Sequence, residues 1–388
     1  MLMDYESLFK KHQEKSISGR YLTLEHIQPV LDALATNPHI SIEERGKSVQ
    51  ERPIHVLKMG SGAIRIFVWS QMHGNESTTT KAIMDWIHYL VSNEAIAASF
   101  RNRYTFCIVP MLNPDGAFMH TRENAQEVDL NRDFVHLSQP ESRLLMQLFE
   151  EFKPDYCFNM HDQRSIFGVG TPLKPATISF LAPAFDETLA MNPVRLKAVG
   201  VISAMYQVLS AFIPGQIGRF DDAFNRNCVG DTFQSLGVPT ILIEAGHFPE
   251  DYEREQTRFY VFVSLISALH KIYENDIVSN DLTVYLEIPQ NNPLFFDFVY
   301  RNVKICYDNS ILITNFAAHF VEEIKDNRFQ RIAKIVAIGG LHTHSGHVEF
   351  DAQGQFFKSD VSDFPIMNQM ADFYIGDDMK FVNGVIKK

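Results

Sequence analysis

Four cysteines in 388 residues, at positions 107, 157, 228 and 306, are too few and too scattered for a disulfide framework, and no two form a CxxC pair. Three of them sit in apolar runs, so reduced thiols are expected. Basic charge is short as well: 35 Lys and Arg against 47 Asp and Glu leave a formal net charge of −12. No stretch clusters cations, which argues against nucleic acid as a partner, because phosphate binding rests on such clusters. Long hydrophobic runs are also missing. Nothing approaches the roughly 20 apolar residues of a membrane span, and the opening MLMDYESLFKKHQEK puts charges where a secretory leader needs an unbroken apolar stretch. These absences predict a cytoplasmic protein with no membrane association. A hydrophobic fraction of 45% and a charged fraction of 21% exclude a disordered chain.

What is present is a regular alternation of short apolar runs and amphipathic stretches up to about residue 273, the pattern of an α/β fold. The runs at 64–70 (IRIFVWS), 104–110 (YTFCIVP), 155–160 (DYCFNM) and 240–244 (TILIE) are apolar almost throughout. They suit central strands covered on both faces. Helical patterns fall at 77–91, 141–151, 193–211 and 252–273. After residue 275 the character changes to β-rich segments (LTVYLEI, FFDFVY, ILITNFAAHF) broken by NNP, DNS and AQG turns. The expected division is a catalytic domain over 1–275 and a smaller β-rich domain, a sandwich or barrel, over 276–388.

Four chemically capable side chains fall at or just past the carboxyl ends of expected strands, where open α/β sheets bind ligands. In QMHGNES, His73 and Glu76 lie three apart at a loop-to-helix junction, with Glu76 expected to open the helix, Gly74 to permit a tight turn, and Thr78, Thr79 and Thr80 to help cap it. His161 follows DYCFNM. A single histidine there is more often a core residue bonded to a carbonyl, but with His73 and Glu76 it completes a two-His, one-Glu zinc set that leaves a fourth position for water. Glu244 closes TILIE, and a carboxylate at the end of a buried strand must be paired or serve a polar cavity. Beside a metal-activated water it reads as general base; in isolation it reads as a structural ion pair. The segment TRENAQEVDLNRDF adds Arg122, Asn131 and Arg132, suited to an oxyanion and a substrate carboxylate, although most arginines are simply solvated. LHTHSGH offers His342, His344 and His347 as a second metal site, or as a polar loop, the commoner fate of histidines without an acidic partner.

GKSVQERPIHVLKMGSG, MHGNE, NPDGAF, RENAQEVDLNRDF, PES and ILIEAG together resemble the zinc carboxypeptidase family of metallopeptidases, in family order, from Gly46 to about Leu269. The resemblance implies a mixed sheet flanked by helices and one Zn2+ per chain on His73, Glu76 and His161. It further implies Glu244 as catalytic carboxylate, Arg122 as oxyanion support, and Asn131 and Arg132 on the substrate's terminal carboxylate. The expected activity is removal of C-terminal residues from short peptides. The alternative is an N-acyl amino acid deacylase resembling the aspartoacylase and succinylglutamate desuccinylase group, which shares HGNE-like and DLNR-like motifs; NPDGAF and GKSVQERP favour the peptidase. One departure stands out. Digestive-type members carry a substrate-contacting tyrosine before the catalytic glutamate, whereas residues 207–244 offer Phe220, Phe224 and Phe233 there.

Overall fold

The computed structural model describes residues 3–274 and 281–387. Packing divides the chain into two units. The larger holds residues up to Arg164 and Val169–Asn291; the smaller holds Ser165–Gly168 and Asn292 onward. The boundary expected near Asp276 lies outside the described residues.

The larger unit is built on an eight-stranded mixed sheet: β1 (Ile40–Lys47), β2 (Pro53–Gly60), β3 (Ile64–Ser70), β4 (Tyr104–Val109), β5 (Tyr156–Asp162), β6 (Ile178–Leu181), β7 (Ile217–Arg219) and β8 (Thr240–Ala245), in the order β1-β2-β4-β3-β5-β8-β6-β7. The four apolar runs read from the sequence are the four adjacent strands β4, β3, β5 and β8, which pair in parallel. Their alternate residues feed two cores, as burial on both faces demands. On one face Ile66, Val68, Phe158, Met160, Ile241 and Ile243 meet the helices α1 (Thr78–Leu90), α4 (Pro193–Leu209) and α6 (Glu255–Glu274). On the other, Phe67, Trp69 and Cys157 meet α3 (Pro140–Phe152) and α5 (Val229–Ser235). A short helix α2 (Pro114–Met119) follows β4.

The strand order matters for function. From β3 the chain steps to β4 on one side and later to β5 on the other, so the order reverses between β3 and β5. A reversal of this kind is the usual ligand position in open α/β sheets.

In the smaller unit, β9 (Phe295–Tyr307), β10 (Ser310–Lys325), β11 (Arg328–Gly339) and β12 (Ser345–Asp351) form a sheet in the order β11-β10-β9-β12. A second sheet of short strands runs through Phe373–Ile375 and Met379–Val382. Aromatic rings fill the space between the two sheets, with Tyr300 and Phe316 against Phe373 at ring-centroid distances of 4.9 and 5.2 Å. Among the described residues no helix is long and apolar enough to cross a membrane.

Helix α1 is buried on nearly every side, including Lys81 and Asp85. Asp85 takes a two-pronged bond from Arg258 of α6, both contacts 2.6 Å, with the side chains 0% and 1% exposed. Burial pushes the Asp85 carboxyl up to about 6, with the guanidinium pulling the other way. Arg258 also donates to the carbonyls of Glu14 and Ile17, which fastens the amino-terminal segment to the helix pair. Arg258→Leu strands a buried carboxylate and is expected to cost about 3–5 kcal/mol. Chemical denaturation should show a smaller loss for the double variant Asp85→Leu/Arg258→Leu than for the single one.

Candidate metal centre

His73 and Glu76 occupy the turn between β3 and α1. Backbone contacts fix this turn: Glu76 N–H donates to the His73 carbonyl at 3.1 Å and Asn75 N–H to the Thr121 carbonyl at 3.1 Å. Asn113 Nδ2 donates to the Met72 carbonyl at 3.1 Å, so NPDGAF holds the segment carrying the histidine. Gly74 is required for space rather than for turn geometry. A Cβ there would lie 1.9 Å from the Gly116 carbonyl carbon and 2.2 Å from the Ala117 nitrogen, both backbone atoms.

Two local expectations change. Glu76 precedes α1 instead of opening it, and the threonines do not cap the helix. Thr79 and Thr80 hydroxyls turn inward to Ser70 Oγ (both 2.9 Å), while the first helical N–H groups, of Thr78 and Thr79, donate to the carboxylate of Asp162 at 2.9 and 3.2 Å. An acidic group at a helix amino terminus is favoured by the exposed N–H groups and the helix dipole.

His161 and Glu244 are placed by the sheet. In the parallel register of β5 and β8, Glu244 is the direct partner of His161. Both lie on the face of Cys157 and Trp69, and neighbouring strands are about 4.8 Å apart. Arg254 ties down both strand ends, donating to the carbonyls of Ala245 and Gln163.

The three expected ligands converge. His73 Nδ1 lies 2.8 Å from Glu76 Oε1, His161 Nδ1 lies 2.8 Å from Glu76 Oε2, and the two Nδ1 atoms are 3.2 Å apart. Among the described residues these three form the one His/Cys/Asp/Glu group able to hold a metal ion, with all donor atoms within 4.8 Å. The set fits a small tetrahedral cation: ligand atoms at zinc bond lengths stand roughly 3.3 Å from one another. The ring of His73 supports the same reading. Its Nε2 donates to Asp129 Oδ1 at 3.0 Å, which in the neutral tautomer leaves a lone pair on Nδ1 facing Glu76 and His161. Two lone-pair atoms and a carboxylate at such separations call for a shared proton or a cation.

Sequence reasoning missed Asp129. Its carboxylate accepts from His73, from Arg122 Nε and Nη2 at 3.1 and 3.0 Å, and from Asn131 N–H at 2.9 Å. Burial opposes its charge, but His73 and Arg122 overcome this and hold it well below the usual carboxylate range. The signal was its position one residue before LNR, in a loop already singled out. Arg122 also reaches Glu76 Oε1 at 3.3 Å and stays part-exposed. Asn131 Oδ1 accepts from Val229 N–H at 3.0 Å. Arg132 is exposed, donating through Nη1 to the Asn131 carbonyl (2.7 Å) and to Cys228 Sγ (3.0 Å). It has no carboxylate partner among the described residues. The Glu244 carboxyl is raised well above its ordinary range by burial first and then by the negative charges of Glu76 and Asp162.

The remaining family motifs interlock around the same loops. Asp115 of NPDGAF accepts from Ser48, Gln50 and Arg52 of GKSVQERP, and Glu141 of PES accepts from Val49 and Asn124. Phe233, considered in place of the absent tyrosine, stacks on Phe149 at 4.0 Å in the core. In LHTHSGH, His347 stacks on Phe295 and donates to the Ser165 carbonyl at 2.7 Å, while the His344 ring lies against Phe296.

Residues 27–163 match the family model described as zinc carboxypeptidase, a stretch that carries His73, Glu76 and His161 and ends before Glu244. Curated relatives include carboxypeptidase 2 of Trichophyton tonsurans, 30% identical over 107 residues, and cytosolic carboxypeptidase 6 of Mus musculus, 32% identical over 124 residues. These matches cover 28% and 29% of this chain and only 20% and 23% of the relatives. Among solved structures, a metallo-carboxypeptidase from Burkholderia cenocepacia superposes with a TM-score of 0.53 at 18% identity, covering 66% of this chain and 70% of that one. Carboxypeptidase A from Helicoverpa armigera gives 0.51 at 17%, covering 69% and 79%. The resemblance read from the motifs holds, and the larger unit has the carboxypeptidase-like fold.

Gly74→Ala tests the site geometry. The added methyl must push the His73 turn away from α2, so metal-stripped protein should take up less than one equivalent of Zn2+ under conditions that saturate the parent chain. Full uptake in elemental analysis would show that the contact with Gly116 is dispensable.

Proposed function

We propose that this chain, similar to the zinc carboxypeptidases in its motifs and in the fold of its larger unit, is a zinc-dependent carboxypeptidase that removes C-terminal residues from short peptides. The observation that carries this reading is the convergence of His73 Nδ1, His161 Nδ1 and the Glu76 carboxylate on one point, with Glu244 in register beside His161. His73, Glu76 and His161 hold one Zn2+ per chain, which when bound acts as Lewis acid toward the scissile carbonyl and the attacking water.

Glu244 is the general base. In register beside His161, it takes a proton from water and hands it to the leaving amine. Arg122, held by Asp129 and part-exposed, stabilises negative charge developing on the carbonyl oxygen. Arg132, with guanidinium nitrogens to spare, and Asn131 receive the substrate's free carboxylate. Cytoplasmic residence fits the free cysteines, two of them buried in the sheet.

Glu244→Gln keeps shape and metal but cannot accept the proton. Turnover of the best peptide should fall by at least about a hundredfold, the usual contribution of a general base, with zinc content unchanged. Near-parental turnover would remove Glu244 from the role of base.

The reading of Arg132 is tested with paired substrates. Loss of a charged contact of this kind costs about 2–5 kcal/mol, so C-terminally amidated peptides should be cleaved at least tenfold more slowly than free ones. Arg132→Ala should lose both activity and the discrimination, as read by mass spectrometry of the products. Cuts at internal bonds, or preference for N-acyl amino acids over peptides, would replace the exopeptidase reading with an endopeptidase or with the deacylase.

A further inference from the structure

Arg20 lies upstream of the stretch that matches the family model, yet its side chain is only 11% exposed and reaches the back of the metal centre. Its Nη1 donates to Asp162 Oδ2 at 2.8 Å and to Thr78 Oγ1 at 3.1 Å, and its own carbonyl accepts from Ser77 Oγ at 2.6 Å. Two residues on, the Leu22 carbonyl accepts from Gln71 Nε2 at 2.8 Å. The amino-terminal segment is therefore fastened to both ends of the turn that carries His73 and Glu76.

Asp162 is the junction. It directly follows His161, its side chain is 1% exposed, and its carboxylate receives the Thr78 and Thr79 N–H groups as well as Arg20. Its own N–H donates to Glu76 Oε2 at 3.1 Å. One residue thus joins the strand bearing His161, the helix that follows Glu76, and the Glu76 carboxylate itself. Asp162, Glu76 and Glu244 put three carboxylates close together. Arg20 brings a cation to this cluster, bonded directly to Asp162. Without it the buried Asp162 carboxylate keeps its two N–H donors but loses its bonded cation close to other negative charge, which favours a different arrangement.

We propose that Arg20 and Asp162 are positioning residues that preset the spacing between Glu76 and His161 for the metal, so that the segment upstream of the family stretch is an integral part of the centre. Groups that orient metal ligands from outside typically control affinity by ten- to a hundredfold. This rests on the metal-ligand reading given above.

The test measures zinc affinity of the full chain. Metal-stripped parent, Arg20→Gln, Arg20→Lys and Asp162→Asn proteins are titrated with Zn2+ against a chromophoric chelator, at a temperature where circular dichroism shows each to be folded. Arg20→Gln and Asp162→Asn should raise the zinc Kd at least about tenfold, and Arg20→Lys, which restores the charge, should recover most of the loss. A merely structural clamp lowers the melting temperature of metal-free and zinc-loaded protein alike and leaves Kd unchanged; that result in Arg20→Gln overturns the proposal. If Asp162→Asn does not fold, the two Arg20 variants still decide. A parent chain that binds no zinc sinks the metal reading itself, whereas a parent that binds zinc as tightly as Arg20→Gln does sinks only the clamp.

Discussion

The carboxylate of Asp129 is the constraint on which the rest of the centre hangs. It fixes the tautomer of His73, holds Arg122 from two nitrogens, and accepts the Asn131 N–H that starts the turn Leu130–Arg132. His73 on one loop, and Arg122 and the turn bearing Asn131 on another, would otherwise drift independently. Bound to one anion, they keep a common frame. The arrangement is self-consistent electrically: burial disfavours the charge, and two strong donors make it stable.

The fold supplies the other half of that frame. His73 leaves β3 and His161 ends β5, the two strands between which the strand order reverses. Such a reversal is where open α/β sheets usually bind ligands. The helices respond to the same demand: α1 starts beside the site with its first N–H groups on Asp162 and is otherwise sunk in apolar contacts, so its carried charges, Lys81 and Asp85, are paired with Glu255 and Arg258.

The sequence made the central sheet legible because strands buried on both faces are apolar without interruption, and β3, β4, β5 and β8 are such strands. His73, Glu76 and His161 were readable for a related reason, since polar groups at the ends of buried strands need a purpose. What stayed hidden were partnerships between distant segments. Arg20 and Asp162 are 142 residues apart, and neither is unusual in its local context. The threonines after Glu76 misled for the opposite reason: their type suits capping, but tertiary packing turned their hydroxyls toward Ser70 and gave the helix start to a carboxylate from another strand. The β-rich character of the C-terminal region was visible in its turn residues, except that LTVYLEI, read as β, falls on the helix Asp281–Glu287 of the larger unit. The way residues 165–168 join the smaller unit was not visible, because a four-residue segment carries no periodic signal.

The register between His161 and Glu244 has a consequence for how such a centre can change over time. Their separation is a spacing between hydrogen-bonded strands, set by the backbone and indifferent to most side-chain replacements around it. Arg132, by contrast, sits exposed on a short turn whose position depends on a few polar contacts. Replacements can therefore rework that turn residue by residue while His161 and Glu244 keep their distance. The strand pair is held by architecture, and the turn is left open to drift.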